Sequence, residues 1–314
     1  MILTVTMNPA LDRTIIVDSL KLGSNNRVKG IDFDPGGKGI NVSRVVQRLG
    51  EETLALGLAG GENGELIKIL LKKESVKTDF VEIGNPTREN VSILDLKGRM
   101  DTNFLQKGGR VLKKELKKLE KKIVSLIPQV SIVILAGSVP PGISTHIYKD
   151  LISLIRQENP SLKIILDTSG TALIEALKAK PFMIKPNHVE VMEILGLKIS
   201  NEKNFVKALV RFSKIGIEMP IISMGSQGAM GMYEGEVLKS IPPEVKRLST
   251  VGSGDSMVAG LAIALLKYNK GDALRNGLRL GTACGAATAM TPGTDLCLKE
   301  DVKRLVDKVK IKKL

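Results

Sequence analysis

Short apolar runs alternate along most of the chain with longer segments in which apolar positions recur every three or four residues. The short runs, at residues 2–7, 54–59, 132–135, 164–166, 183–184 and 221–224, predict buried strands. The longer ones, at 40–49, 64–73, 113–127, 146–156, 171–178, 189–195, 203–215, 256–267, 273–289 and 300–310, predict amphipathic helices. Such alternation implies βαβ units, so the expected fold class is α/β, with a mainly parallel sheet covered by helices on both faces. Ligands of sheets of this kind gather beyond the carboxyl ends of the strands. Two stretches break the rhythm. Residues 13–34 and 90–104 have period-two character, and the second turns at Lys97-Gly98 as a hairpin, with a strand expected from Arg99 to Phe104. They are expected to form a small separate β-sheet, inserted between core elements, that covers a site or pairs with a second subunit.

Composition narrows the class. A chain of 314 residues with 43% hydrophobic content can bury a large core, as one large α/β domain or two smaller ones. The net charge of +14 raises the possibility of a nucleic-acid partner, but aromatics are only 3% and Trp is absent, so stacking platforms are scarce. The densest basic run, Lys113-Lys114-Glu115-Leu116-Lys117-Lys118-Leu119-Glu120-Lys121-Lys122, interleaves Glu and Leu and reads as a solvated helix face. The expectation is therefore no nucleic acid, with the positive charge favouring small anionic ligands. Cys284 and Cys297 form no C-x-x-C pair, and no apolar run is long enough to span a bilayer. A soluble, cytoplasmic protein without a membrane partner is expected.

The stretch Ser249-Thr250-Val251-Gly252-Ser253-Gly254-Asp255-Ser256 opens a helix with a glycine-rich lip. Unpaired backbone N–H groups at the positive end of a helix dipole suit a phosphate or a developing anion. Asp255 beside such a site either takes a proton from an attacking hydroxyl or is simply a helix-start acid favoured by the dipole. Gly254→Ala is expected to disturb this lip, through its methyl group and a backbone angle forbidden to a side-chain-bearing residue. Further polar turns follow other strands. Asp12 reads as an acceptor for sugar hydroxyls or an ordinary turn residue. Gly36, Gly37, Lys38, Gly39 and Asn41 combine close backbone approach with two donors. Arg88 offers a partner for a phosphate, and Ser138 sits in a turn after an apolar strand. Asn187 and Glu190 are spaced for an outer-sphere magnesium site or, equally, for a helix cap. Ser223, Gly225, Ser226, Gln227 and Gly228 form a lip suited to a nucleotide. Jointly these turns describe one cleft holding two phosphorylated ligands.

These residues resemble the ribokinase-like, PfkB-type carbohydrate kinases, specifically their phosphosugar branch. The resemblance extends from Thr4-Val5-Thr6-Met7-Asn8-Pro9-Ala10-Leu11-Asp12 to Gly293-Thr294-Asp295-Leu296-Cys297. Its most specific elements are the 249–256 stretch and Gly36-Gly37-Lys38-Gly39-Ile40-Asn41-Val42. The resemblance implies a single three-layer α/β/α kinase domain over residues 1–314, with the two inserted β segments as a lid and homodimer interface. It implies ATP and Mg2+, Asp255 as base, and Gly252, Ser253 and Gly254 as anion hole. It implies Asn187 and Glu190 as the magnesium-organising pair, and Lys185, Asn187, Ser223, Gly225, Ser226, Gln227 and Gly228 as nucleotide contacts. Asp12, Gly36, Gly37, Lys38, Gly39, Asn41, Arg88 and Ser138 fall on the sugar-phosphate side. Thr87-Arg88-Glu89-Asn90 and Gly293-Thr294-Asp295-Leu296-Cys297 are similar to minor-type 6-phosphofructokinase, which implies fructose 6-phosphate as substrate. Lys38 is common in 1-phosphofructokinases and tagatose-6-phosphate kinases. A basic lid residue of the minor-type enzymes is replaced near Thr102-Asn103, leaving Lys38, Arg88 and Arg27 for the phosphate. The reading from another class is a non-catalytic sugar-phosphate or nucleic-acid binding protein, which the charge suggests and the intact 252–255 stretch opposes.

Overall fold

The computed structural model describes residues 1–98, 100–199 and 201–314. In chain order its strands are β1 (Ile2–Thr6), β2 (Ala10–Val17), β3 (Val28–Gly36), β4 (Thr53–Ala59), β5 (Lys77–Thr78), β6 (Val81–Glu82), β7 (Arg88–Asp95), β8 (Met100–Phe104), β9 (Ile132–Ala136), β10 (Lys163–Asp167), β11 (Met183–Ile184), β12 (Met219–Ser223), β13 (Ala229–Tyr233), β14 (Glu236–Ile241) and β15 (Lys310–Lys313). The helices are α1 (Lys38–Arg48), α2 (Gly61–Lys73), α3 (Lys113–Leu126), α4 (Ile147–Glu158), α5 (Gly170–Leu177), α6 (His188–Leu195), α7 (Glu202–Ile215), α8 (Ser253–Lys267), α9 (Lys270–Thr288) and α10 (Lys299–Val306). The large sheet runs β15-β14-β13-β12-β11-β10-β9-β1-β4-β5, with β6 also on β4. From β12 through β1 to β5 its pairings are parallel, and β13, β14 and β15 extend it antiparallel.

Buried strands explain the continuous apolar runs, because both faces are covered. Leu3 and Val5 of β1, Val133 and Leu135 of β9, and Ile164 and Leu166 of β10 pack beneath α3, α4, α5, α6 and α7. Ile2, Ile132, Ile134 and Ile165 point the other way, under α1, α8, α9 and α10. Two long helices, α8 and α9, cross closely because each presents a glycine to the other. A Cβ on Gly260 would lie 2.6 Å from the Gly281 Cα.

The second sheet, β3-β2-β7-β8, comes from the two segments that broke the sequence rhythm. Its strands start a few residues earlier than periodicity suggested, because β2 and β7 pair in parallel from Ala10↔Arg88 onward and carry the sheet down to the core. The register puts Ile15, Ile31, Phe33, Val91, Ile93 and Phe104 on one face, and Asp12, Asp34, Asn90 and Ser92 on the other. The Lys97-Gly98 turn joins β7 to antiparallel β8, and the predicted start of that strand at Arg99 lies outside the described residues.

One prediction fails at the C-terminus. The helix expected over 300–310 stops at Val306, and Lys310–Lys313 adds an edge strand to β14. The β13–β14 hairpin was also not anticipated. Its two-residue loop, Glu234-Gly235, has φ of 49° and 82°, as a tight hairpin following the strand twist requires.

Candidate active site

Helix α8 begins after Gly252, which takes a left-handed conformation (φ 74°), and no side chain caps it. Its first-turn N–H groups are thus left for an anion. The glycine requirement falls on Gly252 rather than Gly254. A Cβ on Gly252 would meet Leu296 Cδ2 at 2.5 Å on top of the strained φ, whereas one on Gly254 would meet only Lys185 Nζ, at 3.3 Å. Gly254 is not among the glycines with positive φ, so the expected backbone obstacle to a side chain there is corrected. Ser253 Oγ is buried and, among the described residues, has no hydrogen-bond partner, which leaves a donor for a ligand. Asp255, two residues on, is 7% exposed and accepts a 2.8 Å hydrogen bond from Asn41 Nδ2 of α1. Burial pushes its carboxyl up to about 6, although Lys38, Asn41 and Lys185 act in the opposite direction.

The glycine turn before α1 lies close against β1, since Cβ atoms on Gly37 and Gly39 would come within 2.9 Å of Thr6 Cγ2 and 2.5 Å of Thr6 Oγ1. Gly36 makes room for Asp12, whose Oδ2 would lie 2.1 Å from an added Cβ. Asp12 sits within β2, not in a turn, and accepts a 2.8 Å bond from Asn90 Nδ2 of β7. Burial raises its carboxyl to about 6 as well, against the pull of Asn90 and Arg88.

Arg88 is fixed by backbone carbonyls alone. It donates to Gln106 O at 2.9 Å, Asn8 O at 3.1 Å and Pro9 O at 3.4 Å, and among the described residues it has no ion pair. A rigid guanidinium without a counter-ion is a ready partner for phosphate. Asn8, not singled out from the sequence, ties this corner together. Its Nδ2 donates to both Ser138 Oγ and Lys107 O at 3.0 Å. Arg27 lies exposed just before β3.

The centre of the site holds a residue that sequence reasoning missed. Asp167, at the carboxyl end of β10, is 3% exposed and accepts from Lys38 Nζ at 3.0 Å, with Lys185 Nζ 3.8 Å away. Burial alone would raise its carboxyl, yet the two ammonium groups hold it below the ordinary range. Burial likewise would lower Lys38, but Asp167, Asp255 and Glu190 outweigh it and raise the ammonium above its usual value. The available signal was an acid directly after an apolar strand, Ile164-Ile165-Leu166-Asp167, at the end where ligands gather.

On the opposite flank, Lys185, Asn187 and Ser223 lie side by side, since Ser223 N–H donates to Pro186 O at 3.0 Å. Gly225, Ser226 and Gln227 form one exposed 3-10 turn. Gly228 (φ 90°) closes it, and a Cβ there would lie 2.0 Å from Ser240 O. These residues make an open polar lip beside Lys185.

Asn187 and Glu190 form a complete capping box. Asn187 Oδ1 accepts from the N–H groups of Val189 and Glu190, and Glu190 Oε2 accepts from Asn187 N–H. The Asn187 oxygen is therefore spent, which leaves Glu190 Oε1 as the carboxylate oxygen free to meet a water on a divalent cation. Among the described residues no group of three or more His, Cys, Asp or Glu could hold a metal by itself. That donor set fits a magnesium ion carried chiefly by nucleotide phosphates, and does not fit an all-protein cage. Among the described residues no helix is long and apolar enough to cross a membrane.

Comparison with known proteins agrees with this geometry. The profile of the pfkB family carbohydrate kinases matches residues 5–301. A 1-phosphofructokinase of Bacillus subtilis is 35% identical over 314 residues, covering all of both chains. A tagatose-6-phosphate kinase of Staphylococcus epidermidis is 34% identical over 297 residues, 94% of each chain. Among solved structures, phosphofructokinase-2 of Escherichia coli in complex with substrates and products superposes with a TM-score of 0.91, at 30% identity over 98% of each chain.

Proposed function

The chain belongs to the pfkB family of carbohydrate kinases and is a phosphosugar kinase, and from that premise we propose that it transfers the γ-phosphoryl group of ATP to fructose 1-phosphate, giving fructose 1,6-bisphosphate. The observation that carries the chemistry is the buried Asp255 at the uncapped start of α8, held by Asn41 beside Lys38 and Lys185. The sequence motifs alone pointed to fructose 6-phosphate. Full-length similarity to a 1-phosphofructokinase favours the 1-phosphate, and the lysine in the glycine turn speaks against fructose 6-phosphate without separating fructose 1-phosphate from tagatose 6-phosphate. Fructose 6-phosphate and tagatose 6-phosphate are the competing acceptors.

In the proposed reaction the sugar hydroxyl lies against Asp255. As its oxygen attacks the γ-phosphorus, the O–H proton passes to the Asp255 carboxylate, the new O–P bond forms, and the bond to the ADP oxygen breaks. The N–H groups at the α8 start, including Gly252, Ser253 and Gly254, receive the charge that builds on the phosphoryl oxygens. Arg88, with Asp12 and Ser138 near it, holds the sugar phosphate. Lys185 and the lip formed by Ser223, Gly225, Ser226, Gln227 and Gly228 take the nucleotide. Magnesium, when bound, neutralises phosphate charge, and Glu190 through a water, next to Asn187, would keep it in place.

The test is a coupled assay with MgATP and each of the three sugar phosphates. The kcat/KM for fructose 1-phosphate is expected to exceed the others by at least about tenfold, the scale of a single well-placed phosphate contact. Preference for either 6-phosphate overturns the acceptor assignment, and absence of turnover with all three overturns the kinase reading.

We further propose a homodimer through the small sheet. Its outward face carries Ile31, Phe33 and Phe104 at 49%, 37% and 57% exposure, while the opposite face bears Asp12 and Asn90 toward the site. An apolar sheet face of this extent is stabilised by a two-fold related copy. Sedimentation velocity at assay concentration is expected to show a dimer, and a monomeric profile contradicts this.

A further inference from the structure

We propose that Asp167 is a positioning residue for phosphoryl transfer, holding Lys38 from the sugar-side turn and Lys185 from the nucleotide-side turn as one cationic pair beside Asp255. The inference rests on the kinase reading given above. It begins from the cost of the arrangement. A carboxylate buried to 3% exposure is unfavourable unless it is paired and hydrogen-bonded, and among the described residues Asp167 Oδ2 has no hydrogen-bond partner. Its Oδ1 carries the whole burden, with Lys38 Nζ at 3.0 Å and Lys185 Nζ at 3.8 Å.

The two lysines come from different halves of the site. Lys38 opens α1 three residues before Asn41, whose amide holds Asp255. Lys185 follows β11, and its Nζ lies 3.3 Å from where a Cβ on Gly254 would stand, directly at the α8 lip. A shared carboxylate is what keeps two like charges together there. It also gives them a partner other than Asp255. Both ammonium groups also act on the carboxyl of the proposed base, and without Asp167 they are left to pair with it, which makes a weaker base. With it, the lysines stay aligned along the line between the two ligands and can turn to the transferred phosphoryl oxygens. The backbone of Asp167 is itself fixed, since its carbonyl accepts from Gly137 N–H at 3.0 Å. The adjacent Thr168 hydroxyl donates to Gly137 O, as does the buried Tyr148 hydroxyl, both at 2.8 Å.

A double-mutant cycle tests this. In the native background Asp167→Asn is expected to lower kcat about 10- to 100-fold, as for a catalytic group displaced by an ångström, with KM for the sugar phosphate changed less than about threefold. In a Lys38→Met background the same change is expected to cost several-fold less than in the native one, because one of the two groups through which it acts is gone. Effects that multiply independently overturn the proposal. A second readout needs no turnover. The rate at which an acylating reagent labels Lys38, followed by mass spectrometry, is expected to rise about tenfold or more in Asp167→Asn, as its ion pair is lost, while exposed Lys214 is unchanged. An unchanged Lys38 rate overturns the proposal even if the native protein phosphorylates none of the sugars, an outcome that would by itself sink only the kinase reading. Should Asp167→Asn not fold, Asp167→Glu retains the charge one methylene further out, and the same non-additivity with Lys38→Met is expected.

Discussion

Asp255→Asn is expected to lower kcat with MgATP by roughly 10²–10⁴-fold, the usual contribution of a positioned general base, while the affinity for nucleotide changes little. The substitution keeps the shape of the side chain and one oxygen for the Asn41 amide, which now donates to Asp255 at 2.8 Å. What it removes is the ability to take the hydroxyl proton. Because burial holds Asp255 at about 6, kcat/KM of the native protein is expected to fall as pH drops through that value. Stability should move the other way. The folded protein keeps a proton on Asp255 between the ordinary carboxylate range and about 6, where the unfolded chain has released it. Stability is therefore lost as pH rises through this window, and above it the buried charge is a standing cost. Asp255→Asn is accordingly expected to melt higher at pH 7.5, by an amount worth up to about 3 kcal/mol, and to lose that advantage near pH 4. A variant with native turnover, or one that melts lower at pH 7.5, would falsify the assignment of Asp255 as a buried base.

How much of this was legible in the chain depends on whether the signal was local. Strand β11, only Met183–Ile184, and helix α3, Lys113–Leu126, were readable because continuous apolar runs and a regular apolar stripe are properties of adjacent residues. The 249–256 stretch was readable for the same reason, since an uncapped, glycine-bounded helix start is written in consecutive positions. Edge strand β15 was not. Three of its four residues are lysines, two of them exposed with the first, so it carries no burial pattern, and its pairing with β14 is supplied from far away in the chain. Asp167 escaped for a related reason. Its meaning lies in Lys38, 129 positions earlier, and in Lys185, and a single acid after a strand has no periodicity to mark it. The glycines before α1 show a third case. Their identity was noticed, but glycine announces only that something comes close. Fold geometry decides that for Gly37 and Gly39 the close neighbour is Thr6, and for Gly36 it is Asp12.

That last neighbour gives the second large effect. Gly36→Ala is expected to reduce kcat/KM for the sugar phosphate by about 100-fold or more, the penalty that roughly 1 Å of misplacement at a site imposes. The added methyl carbon would stand 2.1 Å from Asp12 Oδ2 and 2.5 Å from its Cγ, so the carboxyl group has to leave its position. The backbones cannot yield easily. Gly36 pairs with Ala10, and Asp12 with both Asp34 and Asn90, in the strands that root the small sheet. The side chain must therefore rotate, breaking the 2.8 Å bond from Asn90 and turning into the space assigned to the sugar. Backbone strain contributes nothing, because Gly36 is not among the glycines with positive φ. Gly254→Ala supplies the contrast. Its methyl would meet only the flexible tip of Lys185, at 3.3 Å, so its effect on sugar binding should be small. Nucleotide affinity, measured by calorimetry, is expected to survive in Gly36→Ala, since Lys185 and the lip after β12 are untouched. If Gly36→Ala binds and phosphorylates the sugar phosphate as the native protein does, then Asp12 does not hold the sugar, and the acceptor half of the site lies elsewhere.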